Sequence, residues 1–236
     1  MGTITDCLSS IRFNVFDKKK FSMNELISAL GKNYEGFESI RKLVMNETPR
    51  YGNDDDYADE ILKDVFESYF ESIDGRPNTK GGHFRINLLP TTCHVYFGSV
   101  LGATPDGRLA KKPVSEGISP VQGADRKGPT AVLKSAAKID HLRTGGTLLN
   151  QKFTPQILSD NSGIEKVLHL IRAYFKMDGH HIQFNVVSAD TLRKAQKEPE
   201  NYRDLIVRVA GYSDYFVNLV PDLQEEIIRR TEHAEA

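Results

Sequence analysis

A glycine at the end of a predicted strand is the residue of this sequence most open to a chemical interpretation. It is Gly211, within "RVAGYSDYF" at 208–216, and the apolar run Leu205–Val207 before it predicts the strand. A strand that leads to a buried site normally carries packing side chains to its end, yet this one stops at a glycine between Ala210 and Tyr212. Glycine there indicates a positive φ or a close approach of backbone. From spacing alone, this structural interpretation is favoured.

Side chains that could bind a metal occur as adjacent pairs and one acidic run. Cys93 precedes His94, His180 precedes His181, and three aspartates occupy 54–56. Adjacent side chains on a strand point to opposite faces, so neither pair favours a shared metal. The aspartates are typical of the first turn of a helix, and a cysteine such as Cys93 is typically a small buried apolar group. The sequence therefore predicts no metal site.

Composition limits the classes of function. A chain of 236 residues forms one domain, at most two. With 31 Lys and Arg interspersed among 32 Asp and Glu, it has no basic patch for nucleic acid. Two cysteines make no disulfide framework, which favours the reduced cytoplasm. No leader peptide is evident, and no apolar run reaches the ~18 residues of a membrane span.

The first third of the chain is predicted to be helical. Ser22 and Glu25 form a capping box for a helix that ends near Gly31. Two further helices are predicted at 37–45 and 55–73, the second from apolar residues at a 3.6-residue period.

The rest of the chain changes character twice. Residues 81–146 are dense in Gly and Pro and predict a long stretch without regular structure, either a functional loop or a structural loop packed over a larger protein. The last third predicts, in order, a helix capped by Ser162 and ending at Lys176, a strand at 181–187, a helix capped by Ser188 and ending at Lys197, a strand at 204–209 and a helix at 222–231. A strand, a helix and a strand in succession favour a parallel pair, so the fold class is α/β.

Motifs along the whole chain resemble those of one enzyme family. "RVAGYSDYF" resembles the glycyl radical fingerprint, which is Arg-Val-small-Gly-Tyr followed by Phe. Further segments occur in the expected order: "PRYGNDDDYAD", "LPTTCHVYFGSVLGATPDGRLA", "PVSEGISPVQGADRKGPTAVLKS", "GTLLNQKF", "HHIQFNVV", "DLIVRVAGYSDYFVNL" and "EIIRRTEH". The sequence is similar to the C-terminal region of glycyl radical enzymes, most of all the B12-independent glycerol and propanediol dehydratases and trans-4-hydroxyproline dehydratase, and more distantly to pyruvate formate-lyase.

This resemblance implies a fold and a site. The fold is the C-terminal part of an α/β barrel with helices outside and the radical loop at a strand end. Residues 1–80 are then a mainly helical segment, and 81–236 a barrel half and radical domain. Gly211 carries the unpaired electron on its α-carbon, where a side chain would hinder planarisation. The loop around it is held by four residues: Arg208, Val209, Ala210 and Tyr212.

The resemblance also implies partners. No cofactor is bound, but an iron–sulfur activating enzyme that uses S-adenosylmethionine installs the radical. A cysteine in a Gly-Cys-x-Glu motif, far upstream in the family, relays it to a small hydroxylated substrate. Neither Cys7 in "TDCLSS" nor Cys93 in "TTCHVY" matches that motif, so an upstream cysteine-bearing region or subunit is implied. Homodimers are common in the family.

Several interpretations stay open on the sequence. The chain resembles the last third of a dehydratase, and an artificial boundary, a split gene or a degraded gene would each account for this. It would then be part of a dehydratase that eliminates water, a separate radical-bearing subunit like the spare part of pyruvate formate-lyase, or a non-catalytic remnant. An activity of the formate C-acetyltransferase type is a more distant alternative.

Overall fold

The N-terminal part of the chain is helical in the structure, a computed structural model that describes residues 1–234. The helices are α1 (Gly2–Ser10), which continues as a π-helical segment (Ile11–Asp17), α2 (Met23–Gly31), α3 (Glu38–Glu47) and α4 (Asp56–Ile73). The predicted capping box is confirmed: the Glu25 N–H donates to Ser22 Oγ at 3.2 Å, and the Ser22 N–H donates to the Glu25 carboxylate at 2.7 Å.

The glycine-rich middle of the chain contains two helices that were not predicted. They are α5 (Cys93–Val100) and α6 (Pro129–Ala136). Proline at the first position of α6 suits a helix start, because that N–H has no partner in the helix. The placement of Cys93 and His94 on a strand is wrong, since both lie in the first turn of α5. The prediction that 81–146 lacks regular structure is wrong for these two helices.

Three parallel strands form the main sheet, in the order β2–β1–β5. They are β1 (Leu149–Phe153), β2 (Ile182–Val186) and β5 (Glu232–His233), and α7 (Asn161–Lys176) crosses from β1 to β2. A separate antiparallel hairpin consists of β3 (Ile206–Arg208) and β4 (Ser213–Tyr215), with α8 (Ala189–Lys197) before it and α9 (Pro221–Arg229) after it. The α/β class is confirmed.

The predicted parallel pairing of the strands at 181–187 and 204–209 is wrong. The strand β2 pairs with β1, which was not predicted, and β3 pairs with β4. Between β2 and β3, the Asn185 side chain of β2 bonds to the backbone of Arg208 in β3, in place of a strand ladder.

Two apolar clusters divide the packing near the hairpin. The main cluster joins α4, α6, α7 and β1, with Phe66, Leu149 and Tyr174 nearly fully buried. The C-terminal cluster joins α8, the hairpin and α9, and includes Val209 and Phe216. The hairpin therefore shares its apolar core with the two flanking helices, and it meets the sheet through polar contacts.

Helix boundaries in the last third differ from the prediction at two ends. The Asp160 carboxylate, and not Ser162, caps α7 by accepting from the Gly163 N–H at 2.7 Å. The helix predicted at 222–231 begins at Pro221 and ends at Arg229. The cap at Ser188 is confirmed, since its hydroxyl accepts from the Thr191 N–H at 3.1 Å.

The cap of α7 gives a direct test. We expect Asp160→Ala to lower the free energy of unfolding by about 1 kcal/mol, because it removes the acceptor for an otherwise unpaired helix N–H. Ser162→Ala, exposed on the same helical turn, is the matched control and should change it by less than ~0.5 kcal/mol. Urea unfolding followed by circular dichroism measures both. A larger loss in Ser162→Ala than in Asp160→Ala would contradict this assignment of the cap.

Candidate functional site

The hairpin turn places Gly211 at its tip. Arg208 pairs with Ser213 in the ladder, and the Val209 N–H donates to the Tyr212 carbonyl at 2.9 Å, so Ala210 and Gly211 are the two central residues. Gly211 has a φ of +87°, in the left-handed region that glycine adopts without steric cost. The structural reason for glycine given in the sequence analysis is therefore present.

Steric crowding does not account for the glycine at this tip. A Cβ added to Gly211 would lie 3.5 Å from Leu148 Cδ1, which is an ordinary contact. Gly211 is exposed, whereas Val209 and Ala210 beside it are 0% and 2% exposed. Tyr212 is half-buried against the C-terminal cluster. The turn is thus anchored on one side and open at the α-carbon of its glycine.

The Asn185 side chain joins the hairpin to the sheet. Its Oδ1 accepts from the Arg208 N–H at 2.7 Å, and its Nδ2 donates to the Arg208 carbonyl at 2.8 Å. A primary amide here makes the two bonds that a backbone residue of a neighbouring strand would make. Because Asn185 is 4% exposed, these bonds satisfy groups that water does not reach.

The Val209 carbonyl accepts from three side chains. The donors are Arg230 Nη2 at 2.8 Å, Gln183 Nε2 at 3.3 Å and Asn150 Nδ2 at 3.4 Å. Since the Arg230 bond is the shortest and comes from an ion, it is the strongest of the three. Arg230 Nη1 also donates to the Arg208 carbonyl at 3.2 Å. One guanidinium therefore holds the two peptide carbonyls that precede Ala210.

Buried acceptors hold that guanidinium in place. Arg230 donates to Glu226, one turn earlier on α9, at 2.8 and 3.1 Å. Gln122 Nε2 donates to the same carboxylate at 3.1 Å, and His94 Nε2 lies 3.6 Å from it, beyond hydrogen-bond distance. Burial is the largest influence on the pKa of Glu226 and would raise it, but the charge of Arg230, its hydrogen bonds and the neighbouring His94 together outweigh burial and lower the pKa to about 2. Glu226 is therefore an anion that compensates a buried cation.

A second buried carboxyl, Glu116, lies in a small polar cavity beside Arg230. The cavity measures about 20 Å³, enough for one water molecule. Its wall includes Asp125, Lys152 and His233, and Glu116 Oε2 has no hydrogen-bond partner within residues 1–234. Burial raises the pKa of Glu116 to about 7; the charge of Arg230 opposes this shift and that of Glu226 adds to it. Glu116 is thus a group that titrates near neutral pH.

The four residues that the resemblance assigns to the loop, at 208, 209, 210 and 212, do surround Gly211. Sequence reasoning missed the side chains that hold this loop: Asn150, Gln183, Asn185, Glu226 and Arg230. One signal was available in "HIQFNVV", where two amides two residues apart interrupt an apolar strand. Polar residues at that period share one face of a strand, and the structure buries this face against the hairpin.

The cysteines and histidines do not converge on a metal-binding arrangement. Cys93 is exposed at the start of α5, and Cys7 Sγ donates to Asp106 Oδ1 at 3.6 Å. His94 is 2% exposed and faces Glu226, so Cys93 and His94 lie on different sides of α5. Within the described part of the chain, no group of three or more His, Cys, Asp or Glu side chains is placed to bind a metal ion.

Comparison with known proteins identifies related sequences along the chain. A family model described as "Pyruvate formate lyase-like" matches residues 1–98, and one described as "Glycine radical" matches 114–217. A trans-4-hydroxy-L-proline dehydratase of Clostridioides difficile is 60% identical over 98% of this chain and 29% of its own length. An isethionate sulfite-lyase of Bilophila wadsworthia is 45% identical over 99% of this chain and 28% of its own length.

Solved structures agree in fold. A hydroxyproline dehydratase from Clostridioides difficile, solved with trans-4-hydroxy-L-proline bound, superposes with a TM-score of 0.97 over 99% of this chain and 30% of its own. The B12-independent glycerol dehydratase from Clostridium butyricum is 43% identical and superposes with a TM-score of 0.94, over 99% of this chain and 30% of its own. The chain thus spans under a third of the length of these relatives. Among residues 1–234, no helix has the length and apolar character to cross a membrane.

The titration of Glu116 predicts how stability depends on pH. A carboxyl whose pKa rises from 4.5 to about 7 on folding contributes its stability fully below pH 4.5, and this contribution is lost as the pH rises through 7. Glu116→Gln removes that loss. We therefore expect the free energy of unfolding of the variant, relative to the parent, to rise by about 2 kcal/mol between pH 5 and pH 8.

Urea unfolding at a series of pH values measures the difference. The matched control is Glu165→Gln, which changes the same group at an exposed position of α7. Its stability relative to the parent should not depend on pH. Parallel profiles for Glu116→Gln and the parent would show that Glu116 does not titrate in this range.

Proposed function

Because this chain belongs to the glycyl radical enzymes, as part of their C-terminal region, we propose that Gly211 carries the unpaired electron. The observation that supports this most is the position of Gly211 at the tip of a rigidly held turn inside the segment matched by the "Glycine radical" model. Its positive φ, its lack of a side chain and its exposed α-carbon suit a residue that gives up and regains a hydrogen atom. The loop residues Arg208, Val209, Ala210 and Tyr212 hold it.

The chemistry explains why the residue is glycine. Loss of one α-hydrogen leaves a carbon radical flanked by an amide nitrogen and a carbonyl, and spin spreads over both once the carbon is planar. Gly211 then takes a hydrogen atom from a cysteine sulfur, so that a C–H bond forms, an S–H bond breaks and the spin passes to sulfur. That thiyl radical takes a hydrogen atom from the substrate carbon that bears a hydroxyl. The geometry supplied here is one end of that relay.

For the complete protein we propose a dehydratase or lyase that eliminates water from a small hydroxylated substrate. The 60% identity to a trans-4-hydroxy-L-proline dehydratase and the 0.94 superposition on a glycerol dehydratase support this class. Residues 1–80 serve as a helical segment, and 81–236 as the barrel half that bears the radical. The relay cysteine comes from an upstream region or subunit, and the complete enzyme works in the cytoplasm, as a homodimer.

The radical must be installed by another protein. We assign this to an activating enzyme with an iron–sulfur cluster and S-adenosylmethionine, whose cofactors supply the difficult redox chemistry. This chain would contribute the position of the glycine.

Electron spin resonance tests the radical site. After anaerobic treatment with such an activating enzyme, the spectrum should show a doublet from the remaining α-hydrogen, and Gly211→Ala should abolish it. Gly102→Ala is the control, because no atom lies within 4 Å of its added Cβ and its spectrum should equal that of the parent. A doublet that persists in Gly211→Ala would place the radical elsewhere.

Exposure of the activated protein to air provides a second readout. Oxygen should cut the backbone at Gly211 and release a C-terminal piece of about 25 residues (236 − 211). Mass spectrometry measures the product. An intact mass in a sample that showed the doublet would contradict radical storage at this position.

Turnover assays distinguish a fragment of a larger enzyme, a separate radical-bearing subunit and a non-catalytic remnant. We expect the activated chain alone not to convert glycerol, propanediol or hydroxyproline, because hydrogen transfer needs reacting atoms within about 3.5 Å and neither Cys7 nor Cys93 lies in the family's cysteine motif. Product should form when a polypeptide that carries the upstream cysteine region is added. Product from the chain alone that disappears in Cys93→Ser would make Cys93 the relay, and no product in either case would favour a remnant.

A further inference from the structure

The Gln183 amide spans the turn that carries Gly211. Its Oε1 accepts from the Gly211 N–H at 3.3 Å and from Arg208 Nη2 at 2.9 Å. Its Nε2 donates to the Val209 carbonyl at 3.3 Å. The two turn groups that it bonds lie on either side of Ala210. One side chain therefore fixes the peptide groups before and after the first central residue of the turn.

The orientation of this amide follows from its neighbours. A guanidinium offers donors and no acceptor, so the Gln183 atom that faces Arg208 must be the oxygen. The nitrogen then faces the Val209 carbonyl, which offers an acceptor and no donor. Both ends of Gln183 are matched to fixed partners, and a flipped amide would place donor against donor at one end and acceptor against acceptor at the other.

The rigid sheet holds Gln183 itself. It lies on β2 opposite Asn150 of β1 in the parallel register, and its Nε2 also donates to Asn150 Oδ1. The side chain is 5% exposed, so water does not compete for these bonds. The strands of the hairpin, β3 and β4, pair with each other and make no ladder with β2. Because Gln183 is fixed on β2, its bonds to the turn hold the turn at one position relative to the sheet.

From these contacts we infer that Gln183 is the positioning residue of the radical glycine. It holds the Gly211 N–H in a hydrogen bond, and so sets the orientation of the α-carbon toward the incoming sulfur. The same bond polarises the amide nitrogen, which is the electron-donating neighbour of the radical carbon, and so stabilises the delocalised spin. The positioning part stands on the contacts alone, and the effect on the spin rests on the function proposed for Gly211.

Amide hydrogen exchange in the unactivated protein tests the positioning. Gln183→Met keeps the size of the side chain and removes its hydrogen bonds, so the Gly211 amide should exchange about tenfold faster by nuclear magnetic resonance. Gln183→Glu keeps the acceptor for Gly211 and Arg208 but turns an acceptor toward the Val209 carbonyl, so it should restore the slow exchange only in part. The matched control is Gln156→Met, the same substitution at an exposed position, and it should leave the rate unchanged.

Two exchange results would overturn the inference. One is an unchanged rate at Gly211 in Gln183→Met. The other is an equal increase at amides throughout β1 and β2, which would mean a general loosening of the sheet and no specific hold on the turn.

Electron spin resonance of the activated variants tests the effect on the spin. Gln183→Met should lower the yield of the doublet about tenfold and alter its hyperfine splitting from the amide. Gln183→Glu should restore both in part, and Gln156→Met should retain both. An unchanged doublet in Gln183→Met with faster exchange would limit Gln183 to a structural role and overturn the proposed tuning. A parent protein without any doublet would refute the function proposed for Gly211, and the exchange result would still decide the positioning.

Discussion

The hairpin that carries Gly211 is joined to the sheet by side chains and not by a strand ladder, and the arrangement of the site depends on this. The amides of Asn150, Gln183 and Asn185, from two adjacent strands, meet the peptide groups of 208–211. A backbone ladder consists of many equivalent bonds, so one strand could slip along the other, or the ladder could lengthen, without losing its pattern of bonds. Side-chain bonds of fixed length and direction define one position, and each can be altered by a single substitution.

A buried ion pair supplies the other half of that attachment. Arg230 is 8% exposed and bonds two neutral carbonyls of the hairpin, which accept hydrogen bonds but cancel no charge. Compensation comes from Glu226, whose loss would leave a buried cation at a cost of about 3–5 kcal/mol. Gln122 also donates a hydrogen bond to Glu226, and this bond helps to hold the Arg230–Glu226 pair in place. Glu116 nearby stays protonated below neutral pH, and this limits the negative charge around Arg230.

The sequence predicted those elements whose signals are local. The caps at Ser22 and Ser188 and the periodicity of α4 each depend on residues within a few positions of one another, and the structure confirms them. The pairing of β3 was mispredicted because it is decided by amides that come from β1 and β2, far away in sequence. Gly211 was identified through its motif, but the residues that hold it become evident only when the chain is folded.

The helix α5 was missed because its glycine, Gly98, is explained by packing against a loop and not by a break in the helix. This glycine contrasts with Gly211. A Cβ on Gly98 would lie 2.3 Å from the Lys112 carbonyl oxygen, so packing against a neighbouring loop excludes every larger residue there. At Gly211 there is room for a Cβ, and its positive φ is a conformation that asparagine also adopts. Steric and conformational demands therefore explain Gly98 fully and Gly211 only in part. The radical proposed for Gly211 adds a chemical demand, because an α-carbon that loses a hydrogen atom must become planar, and this demand has no counterpart at Gly98.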